Sequence, residues 1–264
     1  MRPETVLRGR TWARSLSVAG AVAALCAVAP VAGAETKASD PRAVKIADQV
    51  MAALGGKGRW DGLRYLRWTF EVSVNDTLRP GRRHLWDKHS GWHRVDGTNR
   101  AGQTYCYIEN LNDSTGMAWV NGQPIEGDSL KKLMRSAHGQ WINDSYWLLM
   151  PYKLRDPGVT LTYDGEEKDS TGALCDRIGL SFENVGMTPG DRYWVTVDRA
   201  THRVVRWDHL LQGGQPPPTP WTLEAWEQHG GLWFSTAHRS GRRIVYTRAV
   251  EMPQAPAATA FRAP

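Results

Sequence analysis

The sequence lacks the short motifs by which several enzyme classes are recognised. It contains no G-x-S-x-G, no H-E-x-x-H, no C-x-x-C and no glycine-rich phosphate loop. Serine hydrolases, zinc peptidases, dithiol redox proteins and P-loop proteins commonly carry those patterns. The sequence therefore assigns no catalytic residue and no cofactor, and it favours a protein that is not an enzyme.

Cysteine is also scarce, with 3 residues in 264. Cys26 lies near the N-terminus, whereas Cys106 and Cys175 lie in segments with strand character. If the chain is exported, these two cysteines can form a disulfide, because disulfides persist in oxidising compartments. Two buried free thiols are the alternative. Neither cysteine stands near a histidine paired with Asx, so we expect no nucleophile here.

Dense basic runs are absent too, although the formal charge is +6. Four arginines and one glutamate before residue 35 supply about half of that charge, so the remainder carries about +3. Proteins that bind nucleic acid concentrate positive charge on one surface. This charge balance predicts no nucleic-acid partner.

The N-terminal 34 residues have the pattern of a secretory signal peptide. A basic start is followed by an apolar stretch from Leu16 to Val31 and by Ala32-Gly33-Ala34, which fits an A-x-A cleavage site. We expect cleavage near Ala34 and a periplasmic or secreted product. Lipidation of Cys26 is the alternative, but the bulky Leu25 before it fits a lipobox poorly.

The sequence predicts that the mature chain forms one domain of mainly β (α+β) class, from 35 to 252, followed by a flexible tail at 253–264. Pro41 to Leu54 has the apolar periodicity of an amphipathic helix. About a dozen short strands follow, of which Leu63 to Val74 alternates most clearly between apolar and polar residues. This pattern predicts a large curled antiparallel sheet or half-barrel, with the N-terminal helix and internal helices covering its concave face.

Two helices are predicted in the middle of the strand pattern. Ser129 to His138 has helical spacing, and Ser145 to Met150 can form a second, short helix capped by Asn143 or Asp144 and ended by Pro151. The short helix is apolar on more than one face. It is either a core helix or a lid over an apolar cavity that a ligand can enter.

Histidines and acids offer weaker indications of chemistry. His84, His89 and His93 are close in sequence and could bind zinc. However, an odd number of residues separates His84 from His89, which places them on opposite faces of a regular strand, so we predict no metal site. Asp144 and Asp156 flank the short helix and could act as acid and base, but helix capping and turn formation explain them more simply.

Tryptophan is abundant, with 13 residues against 4 phenylalanines. Because indole is amphipathic and seldom fully buried, a sheet of this composition can line a roomy cavity. The alternative is that these side chains fill a wide core. The predicted ligand-binding residues are Trp68, Phe70, Trp86, Trp119, Tyr146, Trp147, Leu149, Met150 and Trp194.

Three segments resemble a family of exported bacterial proteins. They are the run from Trp141 to Leu154, the segment Leu66-Arg67-Trp68-Thr69-Phe70, and Gly190-Asp191-Arg192-Tyr193-Trp194-Val195. That family is a domain of unknown function grouped with the LolA/LolB-like lipoprotein-carrier superfamily. The resemblance implies an open half-barrel whose apolar concavity receives acyl chains, and it supplies no catalytic residue.

Three functions compete at this point. The first is a periplasmic carrier or sensor that binds a lipid, acyl chain or other amphipathic ligand, acts as a monomer, and contacts a membrane or membrane protein transiently. The second is a secreted hydrolase of unrecognised type. The third is a structural or partner-binding domain with a filled core. The size and polarity of any cavity distinguish them.

Overall fold

The computed structural model describes residues 38–183, 188 and 190–264. The predicted signal peptide and Cys26 lie outside these residues. The chain divides into two units, Met1–Thr36 and Lys37–Pro264, and the second contains all the elements below. The domain limits at 35 and 252 stay predictions.

The described residues form three α-helices and fourteen strands. The helices are α1 (Pro41–Ala53), α2 (Lys57–Gly62) and α3 (Gly127–Leu149), and a 3-10 turn at Met150–Tyr152 follows α3. The strands are β1 (Tyr65–Val74), β2 (Thr77–Leu78), β3 (Arg82–Asp87), β4 (Trp92–Thr98), β5 (Thr104–Asn110), β6 (Gly116–Val120), β7 (Gln123–Ile125), β8 (Val159–Lys168), β9 (Leu174–Phe182), β10 (Arg192–Asp198), β11 (Val204–Leu210), β12 (Thr219–His229), β13 (Leu232–Ser240) and β14 (Arg243–Glu251).

All the described strands belong to one antiparallel sheet with the order β7-β6-β5-β4-β3-β1-β14-β13-β12-β11-β10-β9-β8, and β2 pairs with β1. Two meanders thus meet at β1, and the outermost strands β7 and β8 are not paired with each other in the described part. The predicted fold class, a large curled antiparallel sheet with covering helices, is confirmed.

Helix α1 begins where the sequence predicts. The side chain of Asp40 accepts hydrogen bonds from the backbone N–H groups of Arg42 and Ala43, and Pro41 occupies the first turn. Gly55 ends the helix with a φ of 116°. A side chain there would place its Cβ within 2.2 Å of the carbonyl oxygen of Gly231, so this close approach requires glycine.

The strand predicted from Leu63 to Val74 is confirmed as β1, which begins at Tyr65. On β1, Leu66, Trp68 and Phe70 are buried at alternate positions. The turn at Asn121-Gly122 has positive φ at both residues, as a tight β6–β7 hairpin requires.

The prediction of two central helices is wrong, because α3 is one continuous helix of 23 residues. Gly139 weakens a helix by only about 1 kcal/mol, which packing can offset. Asp144 does not cap a second helix but lies inside α3, fully buried, with its carboxylate bonded to Arg82 and His84. The topology also favours one long helix, since α3 connects β7 to β8 at opposite edges of the sheet.

The main core lies between one face of the sheet and the helices. It joins α1 residues such as Ile46 and Val50 to Trp68 of β1 and to Leu148 and Leu149 of α3. A second cluster lies under the first half of α3, where Ala137 packs against Val95, Tyr105, Tyr107 and Ala118. Helix α3 therefore covers the sheet over most of its width.

Both described cysteines are free and buried, which decides between the two alternatives for Cys106 and Cys175. Burial raises the pKa of the Cys106 thiol to about 12. At the C-terminus, Arg94 donates hydrogen bonds to the carbonyl oxygens of Ala260 and Ala263, at 3.2 and 2.7 Å. The flexibility of the tail stays a prediction. No helix among the described residues is long and apolar enough to cross a membrane.

Candidate functional site

A cavity of about 820 Å³ lies beside the second half of α3. Its wall comes from α3, the segment that follows the 3-10 turn, and strands β8 to β11. The lining residues are Gly139, Trp141, Ile142, Asn143, Ser145, Tyr146, Trp147, Lys153, Asp156, Pro157, Val159, Phe182, Thr188, Asp191, Tyr193, Trp207, His209, Leu211 and Gln212. Its volume falls within the range of about 300–1,000 Å³ that small-molecule sites occupy.

Aromatic rings form a continuous part of the cavity wall. Tyr146 of α3 contacts Trp207 of β11 at 5.4 Å and Tyr193 of β10 at 5.9 Å between ring centroids. Trp207 in turn contacts the ring of His209 at 3.8 Å. These side chains come together because β10 and β11 are neighbours and α3 crosses the face on which their side chains lie.

Three of the lining residues carry a buried polar atom without a hydrogen-bond partner. These atoms are Oη of Tyr146, Nε1 of Trp207 and Nε2 of His209. A buried polar group without a partner costs roughly 1–3 kcal/mol, so a small side-chain movement that offers these groups to a polar ligand atom is favourable.

The charged side chains at the cavity are already paired. Lys153 Nζ lies 2.7 Å from Asp156 Oδ2. Asp191 accepts hydrogen bonds from the hydroxyl of Tyr193, the hydroxyl of Thr188 and the backbone N–H of Gln212. The described wall thus carries two carboxylates and one ammonium group, a balance that disfavours an anionic ligand.

The structure places the nine predicted ligand-binding residues in different surroundings. Tyr146 and Trp147 line the cavity. Trp68, Phe70, Leu149 and Met150 lie in the core, and Trp86 packs against that core beside Trp141. Trp119 lines a different cavity of about 600 Å³. Trp194 lies on the opposite face from Tyr193, under the guanidinium of Arg177. Binding by any of the nine stays a prediction.

The sequence did not identify several residues of the cavity wall. Trp141, Phe182, Tyr193, Trp207 and His209 were not among the predicted ligand-binding residues, although Trp141 and Tyr193 lie in the segments that carry the family resemblance. Alternation along β11 would have placed Trp207 and His209 on one face, two residues apart. Nothing in the sequence shows that this face meets α3.

A second polar feature, here called the polar relay, lies next to the cavity. Arg82 donates from Nε and Nη2 to Asp144, at 2.5 and 2.7 Å. Asp144 also contacts Nε2 of His84 at 3.0 Å. The network of hydrogen-bond contacts continues to His93 and Glu109, and it ends at His138 of α3. His84 Nδ1 lies 3.0 Å from His93 Nε2, His93 Nδ1 lies 3.0 Å from Glu109 Oε1, and His138 Nδ1 lies 3.3 Å from Glu109 Oε2.

The polar relay was not predicted, since the sequence argument compared His84 with His89. His89 lies at the exposed turn after β3, whereas His84 meets His93 across the β3–β4 pair. No group of three or more metal-ligating side chains in the described residues could hold a metal ion. The carboxylate of Asp144 is a buried partner of Arg82 and His84, not a capping group.

Burial shifts the ionisation of several groups near the cavity. It lowers the pKa of His84 to about 4, although the hydrogen bond to Asp144 acts in the opposite direction. It also lowers the pKa of His209 to about 3 and that of His238, which packs on Trp147, to about 3. Burial opposes ionisation of Asp144, yet hydrogen bonds from His84 and Arg82 lower the pKa of this carboxyl below its ordinary value.

We expect the folded state to lose stability as the pH falls from about 6.5 towards 3. In this window an unfolded chain protonates its histidines, whereas folded His84 stays neutral down to about pH 4 and folded His209 and His238 stay neutral down to about pH 3. The unfolded state then binds more protons, so the free energy of unfolding decreases with decreasing pH. Denaturant titrations at pH 7, 6, 5 and 4 measure the effect. His238→Phe should reduce the dependence, and a stability that does not change between pH 7 and 4 would contradict the expectation.

No family model matches the chain, and no curated protein matches it. Similar solved structures include a DUF1329 family protein from Desulfovibrio piger, at 13% identity and a TM-score of 0.48, covering 84% of this chain and 98% of the other. A domain named as an outer membrane lipoprotein-sorting protein from Vibrio parahaemolyticus has 10% identity, a TM-score of 0.46, and coverages of 84% and 96%. The Mycobacterium tuberculosis lipoprotein LppX has 11% identity, a TM-score of 0.27, and coverages of 82% and 99%.

Proposed function

We propose that the protein is an exported carrier or sensor that binds one amphipathic molecule of the lipid type in the cavity beside α3. The observation that supports this proposal most directly is a cavity of about 820 Å³ whose wall is rich in aromatic and aliphatic side chains. Transfer of apolar surface from water into such a site contributes about 25 cal/mol per Å² before the costs of ordering the ligand.

The polar atoms of the wall further define the proposed ligand. Trp207 can only donate a hydrogen bond, and Tyr146 can donate or accept one. Burial keeps His209 neutral and raises the pKa of Tyr146, so the wall offers neutral partners at this point. A neutral carbonyl or hydroxyl group on the ligand suits these partners better than a free carboxylate, because no unpaired cation in the described wall would stabilise the charge.

The proposed contact residues are Trp141, Tyr146, Trp147, Trp207 and His209. Of the predicted set, Trp68, Phe70, Leu149 and Met150 would shape the site from the core without touching the ligand. Under this proposal the protein works as a monomer after cleavage near Ala34, in the periplasm or outside the cell, and receives its ligand during a transient contact with a membrane or a lipoprotein.

A ligand survey tests the proposal. Protein purified under native conditions is extracted and examined by mass spectrometry for bound lipid. It is then titrated with the neutral fluorescent probe N-phenyl-1-naphthylamine, and monopalmitoylglycerol and palmitate compete for the site. We expect bound lipid or probe binding, with stronger competition by the neutral monoacylglycerol. Absence of both lipid and probe binding would rule the proposal out.

Trp147→Ala is expected to weaken probe binding at least tenfold. The indole of Trp147 lines the cavity and also contacts Trp207 and Trp221 edge-on, at 5.1 and 4.7 Å. Its loss removes apolar wall and loosens its neighbours. Fluorescence titration measures the dissociation constant.

Trp194→Ala is the matched control, since it removes an indole from the opposite face of the sheet. We expect its dissociation constant to stay within about twofold of the wild-type value. Equal effects of Trp147→Ala and Trp194→Ala would indicate that the probe does not bind in this cavity.

A further inference from the structure

The polar relay contains more hydrogen-bond contacts than neutral histidines can satisfy. The carboxylate of Asp144 accepts from Arg82, so the hydrogen between Asp144 and His84 belongs to Nε2 of His84. A neutral His84 then has only an acceptor at Nδ1. The hydrogen between the two rings therefore belongs to Nε2 of His93.

The next contact requires one more proton. Nδ1 of His93 lies 3.0 Å from Oε1 of Glu109. A neutral His93 has already used its single N–H towards His84, so its Nδ1 and the Glu109 carboxylate would both be acceptors. One additional proton between these two atoms converts a repulsive contact into a hydrogen bond. The last contact needs no extra proton, because a neutral His138 can donate from Nδ1 to the other oxygen of Glu109.

The charge balance points to the same proton count. The side chains of Asp144, His84 and His93 are 0% exposed, and that of Glu109 is 4% exposed. With two carboxylates, one guanidinium and neutral histidines, the relay would hold a net charge of −1 in this buried region. One extra proton brings the net charge to zero, which avoids the cost of an uncompensated buried charge.

We propose that the polar relay retains one extra proton between His93 and Glu109 at neutral pH, and that this proton holds α3 in place beside the cavity. The second half of this inference rests on the proposed function, because it makes the relay a control on access to that site. Helix α3 supplies Asp144 and His138 to the relay. The same helix supplies Trp141 and Asn143 to the cavity wall, and Asn143 donates to Asp144 at 2.8 Å.

Both gain and loss of a proton break the relay. Removal of the extra proton leaves two acceptors facing each other between His93 and Glu109. A second proton, taken up at Nδ1 of His84 in acid, sets two N–H groups against each other between the rings. Loss of the proton breaks the contact between β4 and β5, and gain of the second proton breaks the contact between β3 and β4. The relay then no longer joins the two points at which it attaches to α3, Asp144 and His138.

Three elements, β3, α3 and β5, bring charged or titratable groups to the relay histidines. Arg82 on β3 and Asp144 on α3 face His84, and Glu109 on β5 faces His93 and His138. Tyr105 on β5 also lies near Arg82, with burial raising its pKa to about 12. His209 and His238 titrate in acid against Trp147 of the same helix, so the decisive measurement is made on the alkaline side.

The extra proton predicts a specific pH dependence between pH 7 and 8. The unfolded chain has lost this proton above the ordinary histidine pKa of about 6.5. The folded state then binds one proton more, so its stability falls as the pH rises. The folding equilibrium constant of the wild-type protein should fall close to tenfold per pH unit in this window, as measured by denaturant titration.

Glu109→Gln keeps the hydrogen bonds of the relay but removes the need for the extra proton. The amide of glutamine can donate to His93 and accept from His138 without any extra proton. We expect the folding constant of this variant to change less than twofold between pH 7 and 8. His89→Gln, at the exposed turn outside the relay, should keep the wild-type slope. A wild-type constant independent of pH, or an unchanged slope in Glu109→Gln, would overturn the inference.

Nitrogen-15 spectra of histidine-labelled wild-type protein at pH 7.5 provide a test that needs no variant. We expect protonated Nε2 atoms on both His84 and His93, and an unprotonated Nδ1 on His84. An unprotonated Nε2 on His93 would overturn the placement of the extra proton between His93 and Glu109.

Hydrogen exchange of α3 amides in ligand-free protein tests the effect on the helix. His84→Phe keeps an aromatic ring against Trp68, which stacks on His84 at 4.6 Å, but it breaks the relay. We expect amides from 137 to 149 to exchange at least tenfold faster, with β9 and β10 unchanged, and the neutral probe to dissociate faster. Unchanged exchange rates would overturn the inference that the relay holds α3 in place. Faster exchange without any probe binding refutes the proposed function and leaves the relay's hold on the helix intact.

Discussion

Replacing Asp144 with alanine is expected to lower the free energy of unfolding by about 3 kcal/mol. Removal of one partner from a buried ion pair costs roughly 3–5 kcal/mol, and the lower figure applies because the side chain of Arg82 is 30% exposed. The carboxylate of Asp144 is fully buried and accepts hydrogen bonds from Arg82, His84 and Asn143. Without it, the N–H of His84 has no acceptor.

Asp156→Ala is the matched control for this prediction. Asp156 pairs with Lys153 near the surface, where its side chain is 41% exposed, so its loss should cost less than about 1 kcal/mol. Urea titrations at pH 7 measure both variants. Similar costs for the two aspartates would show that the buried pair contributes no more than a surface pair.

Leu149→Ala is expected to cost about 2–5 kcal/mol while leaving the affinity for the probe within about threefold. The Leu149 side chain is 1% exposed and belongs to the main core together with Trp68 and Leu148. Truncation leaves a cavity surrounded by protein on all sides. This position was predicted to bind ligand, but it lies behind the wall residues.

Ile142→Ala provides the contrast, since Ile142 is half-buried and lines the cavity. We expect it to cost less stability than Leu149→Ala and to weaken probe binding more. Denaturant titration and fluorescence titration of the same two preparations compare the effects. The assignment of core and wall is incorrect if Leu149→Ala abolishes binding without a loss of stability.

Local signals in the sequence were sufficient for several elements. Apolar periodicity from Pro41 to Leu54 identified α1, and apolar alternation identified β1. The pair Asn121-Gly122 is a further local signal, because an N-G pair favours a tight hairpin. Each of these features depends on residues within one turn or one strand, so the physical cause is present in the local sequence.

The continuity of α3 could not be obtained in this way. The good capping residues Asn143 and Asp144 suggested that a second helix begins there. The carboxylate of Asp144 instead binds Arg82 and His84, which are 62 and 60 residues away. The tertiary ion pair of Asp144 outweighed its local tendency to cap a helix, because a buried carboxylate requires a charged partner.

The sequence by itself determined the class of the fold, the order of its strands along the chain, and an apolar, tryptophan-rich interior. Period-two alternation and turn residues are local properties that specify strands and hairpins. Only the tertiary structure decided which faces meet. The two meanders join at β1, and α3 crosses between opposite edges of the sheet. That arrangement places Trp147 against Trp207 and His209 beside a cavity, and it buries Leu149 in the core. It also brings His84, His93 and Glu109 together with Asp144 in the polar relay. These contacts join residues far apart in sequence, and they form only when the sheet and helix pack together.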